Sequence, residues 1–233
     1  MVDNTEFPKQ DISDITYSLM ISAGKIIPVA GPVIEFLSGL VDRPINQRQR
    51  EYIENIRSMV VNLSERLEEY KIENLTNNPS FLSAFLYGGQ IAIRNHQIEK
   101  LEALRNAVIN TALPNSIDES QQQIFLNLID TFSEWHLRVL KYFDNPVEWG
   151  KIHGVTYPTF VMGSSSRMLE SAFPDLAGKR SFYDQMVNDL HDRGLLNSNK
   201  DFLHTNVSDL LAPHTSDIGK LFLKFIESPI DSS

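Results

Sequence analysis

The apolar stretch at residues 19–41 constrains the fold of this chain more than any other part of the sequence. Glycine or proline interrupts it at five positions, which are Gly24, Pro28, Gly31, Pro32 and Gly39. A proline ring removes a backbone donor and clashes with the carbonyl four residues earlier, so one straight helix is disfavoured here. We expect two short helices, at about residues 12–26 and 32–40, with a kink or turn between them.

Charges inside the same stretch argue against a transmembrane helix. A spanning helix needs about twenty apolar residues, and a charge at its centre costs about 2.5–3.5 kcal/mol. Lys25 and Glu35 leave only shorter apolar runs. Two interpretations stay open: permanent packing within a helical bundle, or release for oligomerisation or transient membrane contact. The residues that would form this membrane or partner segment are Gly24, Ile27, Pro28, Gly31, Pro32, Ile34, Phe36, Leu37 and Gly39.

Composition limits the class of protein. The 233 residues are 42% hydrophobic and 22% charged, which is typical of a globular chain with a hydrophobic core. No cysteine is present, so a disulfide framework and a thiolate metal site are excluded. The net charge of −9 argues against nonspecific adhesion to nucleic acid or anionic lipid. The acidic first fourteen residues do not resemble a secretion signal, so we expect a cytoplasmic protein, at most peripheral to the inner membrane.

Residues 1–115 are interpreted as a helical bundle. Apolar residues at spacings of three and four predict an amphipathic helix from Gln47 to about Tyr70. Asn78 followed by Pro79 predicts the N-cap and first residue of the next helix. Residues 90–110 are predicted to be one continuous helix with His96 near its middle. The apolar stripe of that helix would be Ile91, Ile98, Leu101, Leu104 and Val108.

Residues 116–233 are interpreted as a winged-helix-like domain. The pattern predicts helices at 121–128, 133–143 with Ser133 as N-cap, 166–173, and 179–193 with Gly194 as the terminating glycine. Residues 195–199 and 202–207 are predicted to form a short hairpin with Thr215 onward, before a last helix at 218–226. This order, with the phrase at 189–196, resembles a winged helix-turn-helix module. The predicted fold class is therefore mainly α, a helical bundle followed by an α+β winged-helix-like module.

The helix at 179–193 is the candidate partner or DNA helix. A DNA-reading helix presents Arg, Lys, Asn or Gln to base edges and phosphates. Acidic residues are interspersed here and outnumber basic ones across the domain, which favours a protein partner. A transcriptional regulator that binds DNA is the alternative. The residues concerned are Lys179, Arg180, Gln185, Asn188 and Arg193.

No sequence motif predicts a catalytic, phosphate-binding or metal-binding site. None of the six histidines lies in a zinc-protease pattern, and Gly24-Lys25 lacks the remainder of a phosphate-binding loop. His191 could bind a metal with Asp189 and Asp192, although surface polar residues at a helix end are the simpler interpretation. We therefore expect no enzyme activity, no cofactor, no metal site and no small-molecule substrate, but a protein partner or self-association.

Three features resemble bacterial abortive-infection alpha proteins. They are the Gly/Pro-interrupted apolar segment at 24–40, the charged helix at 48–70, and the closing sequence at 215–226 with its Ile-Gly-x-x-Phe phrase. The resemblance implies a role in phage defence or a toxin-like effect on the host, and it supplies no active residues. The chain is thus expected to be a non-enzymatic interaction or effector protein.

Overall fold

The computed structural model describes residues 47–65, 70–113, 117–158, 165–197 and 210–229. Helices make up 76% of this part of the chain, and it contains no β-strand. The helices are α1 (Gln47–Ser64), α2 (Ile72–Thr76), α3 (Pro79–Arg94), α4 (Ile98–Asn110), α5 (Glu119–Thr131), α6 (Glu134–Asp144), α7 (Pro146–His153), α8 (Ser165–Ala172), a 3-10 turn (Pro174–Leu176), α9 (Arg180–Asp192) and α10 (Asp217–Ile226). The all-α and helical-bundle predictions are confirmed. The two helices predicted at 12–26 and 32–40 lie outside the described residues.

The described residues belong to two compact units. Unit 1 comprises the described residues within the ranges Met1–His96 and Ala107–Gln122. Unit 2 comprises the described residues within the ranges Gln97–Asn106 and Gln123–Ser232.

In unit 1, α1 packs its apolar stripe against α3. The stripe follows the spacing of three and four read from the sequence, and its buried members are Tyr52, Ile53, Ile56, Met59, Val60 and Leu63. Asn78 caps α3, because its Oδ1 accepts the backbone N–H of Phe81 at 3.1 Å, and Pro79 stands at the first turn. The predicted start of this helix is confirmed.

Gly88 explains how α1 and α3 approach so closely. A Cβ atom at Gly88 would lie 2.5 Å from the Tyr52 hydroxyl and 3.0 Å from Cγ2 of Val108. That hydroxyl is buried and donates to the carbonyl of Phe85 at 2.9 Å. The glycine therefore leaves space for a hydroxyl that α3 itself holds, and the helix continues through it to Arg94.

The prediction of one helix over 90–110 is wrong. Helix α3 ends at Arg94 and α4 begins at Ile98, so His96 is exposed between two helices rather than within one. The Asn95 side chain donates to the carbonyl of Ile91 at 2.7 Å, a local bond that competes with continuation of the helix. Ile98, which was assigned to the buried stripe, is 76% exposed at the start of α4.

Unit 2 is built around α6, which contacts α9, α7 and α10. Its buried side chains are Leu137, Val139, Leu140, Tyr142 and Phe143. On α10, Phe222 is fully buried and meets the edge of the Phe125 ring at 5.3 Å between centroids. The end of α10 is held by α4, since Nδ2 of Asn106 donates to the carbonyl of Ile226 at 3.0 Å.

The winged-helix-like α+β prediction is wrong for the residues that the structure describes. Only a single antiparallel bridge joins Leu196 to Thr215, and no strand extends from it. The chain has no length for one, because Ser216 caps α10 directly after Thr215 with its hydroxyl on the N–H of Gly219. On the other side, Gly194 has just ended α9 with a φ of 73°. The other predicted hairpin strand, at 202–207, lies outside the described residues.

A close backbone contact takes the place of the hairpin. The backbone N–H of Ser216 donates to the carbonyl of Leu195 at 3.0 Å, which places the first turn of α10 against that peptide. At Gly219 a Cβ atom would overlap the Leu195 carbonyl oxygen. Helix α10 can lie here only because residue 219 has no side chain.

The residues directly after α6 form another helix. Helix α7 starts at Pro146, and the side chain of Asn145 accepts the N–H of Glu148 at 3.1 Å. Gly154 ends the helix with a φ of 65°. The Asn-Pro pair that stops α6 is therefore also the start of α7.

Candidate functional site on helix α9

Helix α9 has one buried face and one exposed polar face. Tyr183, Met186 and Leu190 face the interior of unit 2. Tyr183 further fixes the helix, because its hydroxyl donates to the Glu170 carboxylate of α8 at 3.0 Å. All five residues predicted from the sequence are exposed on α9 or at its ends: Lys179, Arg180, Gln185, Asn188 and Arg193.

Phe182 is a member of this exposed face that the sequence analysis missed. Its side chain is 46% exposed, whereas every other phenylalanine within the described ranges is buried. Phe182 lies at the edge of the buried stripe, one turn before the buried Met186, so its spacing in the sequence is also that of a buried residue. We define the α9 face as Lys179, Arg180, Phe182, Gln185 and Asn188.

The charges on α9 do not form a continuous cationic stripe. Nε of Arg180 lies 3.3 Å from the Asp184 carboxylate one turn along the helix. Asp189 and Asp192 follow further along. Phosphate backbones bind where several cations are clustered, whereas the cations of α9 alternate with carboxylates.

Asp189 links α9 to the start of α6 through His136. The two atoms that meet are Nε2 of His136 and Oδ2 of Asp189, 3.4 Å apart. The other ring nitrogen, Nδ1, accepts the backbone N–H of Ser133 at 3.2 Å and lies 2.8 Å from the Ser133 hydroxyl. Because Nδ1 accepts a backbone donor, it carries the lone pair, and the ring proton belongs on Nε2, facing Asp189.

The environment of His136 favours the neutral ring. Burial lowers the pKa of His136, and the positive charge of Lys100 acts in the same direction, while the hydrogen bond and charge of Asp189 oppose both. Lys100 is itself buried, and its ammonium group donates to the carbonyl of Asp130 at 2.7 Å. The Phe132 ring stacks on the imidazole at 4.8 Å. The imidazole is therefore kept as a neutral base.

This arrangement predicts that acid weakens unit 2 through His136. Its pKa is lower in the folded chain than the ordinary value of 6.5, so the unfolded chain binds more protons below that pH. The contribution of neutral His136 to the free energy of unfolding is complete above pH 6.5, and it is lost as the pH falls towards the pKa of His136 in the folded chain. Urea unfolding at pH 7.5 and pH 5.0 should show a smaller loss of stability for His136→Gln than for the unchanged chain. Equal losses would contradict the assignment.

The sequence analysis recognised Ser133 as an N-cap but not this three-residue cluster. Ser133 and His136 are three residues apart, a spacing that reads as a capping box with His in place of Glu or Gln. Asp189 comes from 53 residues further along the chain, and no periodicity could have paired it with His136.

The metal site considered from the sequence would combine His191 with Asp189 and Asp192. Nδ1 of His191 lies 3.5 Å from the carboxylate of Asp192, while Asp189 faces His136 instead. Across the described ranges, no three His, Asp or Glu side chains are grouped so that they could hold a metal ion.

Within the same ranges, no helix combines the length and the apolar character needed to cross a membrane. The predicted membrane or partner residues, from Gly24 to Gly39, lie outside the described residues.

Comparison of the chain with protein-family models, curated proteins and solved structures found no match.

Proposed function

We propose that this chain is an interaction protein that binds a protein partner through the α9 face. The observation that carries the proposal is the exposure of Phe182, at 46%, on a helix that is anchored in unit 2 by buried side chains. Aromatic and arginine side chains contribute most to binding energy at protein interfaces. Here the aromatic residue lies in the first turn of the helix, which also contains Arg180 and follows Lys179.

The composition of the face indicates the chemistry of the partner. An apolar pocket on the partner would receive the Phe182 ring, and carboxylates at its rim would pair with Lys179 and Arg180. Gln185 and Asn188 supply hydrogen-bonding groups one and two turns further along. Aromatic rings bury a large apolar area at small entropic cost, so Phe182 would be the anchor of such an interface.

The resemblance of the chain to abortive-infection alpha proteins supports bacterial phage defence as the setting for this interaction. The apolar segment at residues 19–41 supports a second contact, made by packing, oligomerisation or transient membrane association. A winged-helix mode of DNA binding receives no support, because the described residues lack the strands of a wing.

Phe182→Ala should strongly weaken partner binding without unfolding the chain. A hot-spot aromatic typically contributes 2 kcal/mol or more, so affinity should fall by roughly thirtyfold or more. The measurement is quantitative capture of the specific partner from native cells, followed by titration of the purified pair. The matched control is Ile152→Ala, because Ile152 is 70% exposed and lies on α7 rather than α9.

Lys179→Glu and Arg180→Glu should weaken the same complex and reduce its salt dependence. Capture that is equal for Phe182→Ala, Ile152→Ala and the unchanged chain would contradict the proposal. Recovery of nucleic acid instead of protein on the same face would also contradict it.

A further inference from the structure

We propose that Ser133 is an activated nucleophile, with His136 as its base and Asp189 as the residue that orients that base. This inference goes beyond the interaction function and does not depend on it. It rests on one continuous set of contacts in unit 2: the Ser133 hydroxyl 2.8 Å from Nδ1, and Nε2 3.4 Å from the Asp189 carboxylate. The substrate class is an ester or another activated acyl compound.

The proton positions are those that a serine nucleophile requires. The tautomer argued above leaves the Nδ1 lone pair towards Ser133, where the hydroxyl and the backbone N–H share it, and the Nε2 proton towards Asp189. The same three roles make up the catalytic triad of serine hydrolases, with the two ring nitrogens exchanged. The burial that lowers the pKa of His136 keeps the base in its neutral form near neutral pH.

The place of Ser133 at the start of a helix provides two further elements. A base three residues after a serine has the same spacing as the Ser-x-x-Lys motif, in which that serine is the nucleophile. The first backbone N–H groups of a helix have no acceptor within the helix, and they can stabilise an oxyanion. In α6 the groups concerned are the N–H groups of Glu134 and Trp135, because the N–H of His136 already binds Ser133.

The reaction would run in two balanced steps. The Ser133 oxygen attacks the acyl carbon while its proton passes to Nδ1 of His136, and the alkoxide leaving group then takes that proton as the carbon–oxygen bond breaks. Water hydrolyses the acyl-serine in the reverse sense, with His136 again accepting and returning the proton. The Asp189 carboxylate stabilises the imidazolium formed in each step.

The accessibility of the cluster is compatible with this chemistry. The His136 side chain is 13% exposed and that of Asp189 is 47% exposed, so a reagent can approach from the solvent side. Ser133 is partly exposed. Ser216 offers an internal comparison, because its hydroxyl also caps a helix but donates to the carbonyl of Gly194 rather than to an imidazole.

The test is labelling of the full chain with an alkyl fluorophosphonate, followed by intact mass and peptide mapping. We expect one adduct, on Ser133, and none on Ser216. Ser133→Ala should remove it. His136→Gln keeps a side chain able to accept the Ser133 N–H, as in an ordinary capping box, but removes the base. Labelling should therefore fall about 100-fold or more in that variant while the helical circular dichroism is unchanged.

Two further measurements separate activation from a structural role. The labelling rate should rise with pH through an inflection below 6.5, the ordinary histidine value, and this inflection should vanish in His136→Gln. Asp189→Asn should slow labelling without removing it. Absence of an adduct on Ser133, or an equal rate in the unchanged chain and His136→Gln, would overturn the proposal and leave the cluster as a helix cap.

Discussion

Replacing Gly219 with alanine is expected to be among the most destabilising single changes in the described part of this protein. The new methyl group would overlap the carbonyl oxygen of Leu195, and that oxygen cannot move away because it accepts the N–H of Ser216. Overpacking usually costs 1–3 kcal/mol, and an obstacle made of backbone belongs at or above the upper end. We expect a loss of about 3 kcal/mol or more in urea unfolding.

The control for this variant is Lys220→Ala, the next residue of the same helix, which is exposed. It should change the free energy of unfolding by less than about 0.5 kcal/mol. Leu195→Ala should not rescue Gly219→Ala, because the obstructing atom is a carbonyl oxygen rather than a side chain. Rescue by that second substitution, or a Gly219→Ala variant of normal stability, would show that α10 does not lie against Leu195 as described.

Replacing Phe222 with alanine should be of similar severity for the opposite physical reason. Its ring is fully buried and meets Phe125 and Phe132 edge-on at 5.3 and 6.3 Å. Truncating a buried phenylalanine removes its transfer free energy and leaves a cavity, which together cost about 3–5 kcal/mol. Urea unfolding should show this loss.

Phe222→Leu should recover a substantial part of the lost stability, since it refills much of the cavity. The control is Leu223→Ala, because Leu223 is the next residue of α10 and only half-buried. A cost for Phe222→Ala no greater than that for Leu223→Ala would contradict the assigned core of unit 2.

Local chemistry made some of these elements predictable. Asn78 and Pro79 specify a helix start within three residues, and Gly194 specifies a helix end by its own backbone freedom. The apolar spacing of α1 was equally clear from the sequence. In each of these cases the determining residues lie within one or two helical turns of each other.

Long-range geometry decided the features that the sequence analysis got wrong or missed. The hairpin failed because α10 starts directly after Thr215, which depends on Ser216 meeting the peptide of Leu195. The break between α3 and α4 is an exception, because it accompanies a local bond from the Asn95 side chain to the carbonyl of Ile91. Of the candidate site, the exposed polar residues of α9 were read from the sequence, whereas the exposure of Phe182 and the contact of Asp189 with His136 needed the fold.

The contact between Asn106 and Ile226 has a consequence for the order of events during synthesis. Asn106 and Ile226 are 120 positions apart, and Phe125 and Phe222, which also contact each other, are similarly distant in sequence. Contacts so distant in sequence slow folding, because a long loop must close before they form. On the ribosome, Asn106 and Phe125 would therefore lack these partners until α10 has emerged. This interval is when a chaperone would bind a nascent chain of this kind.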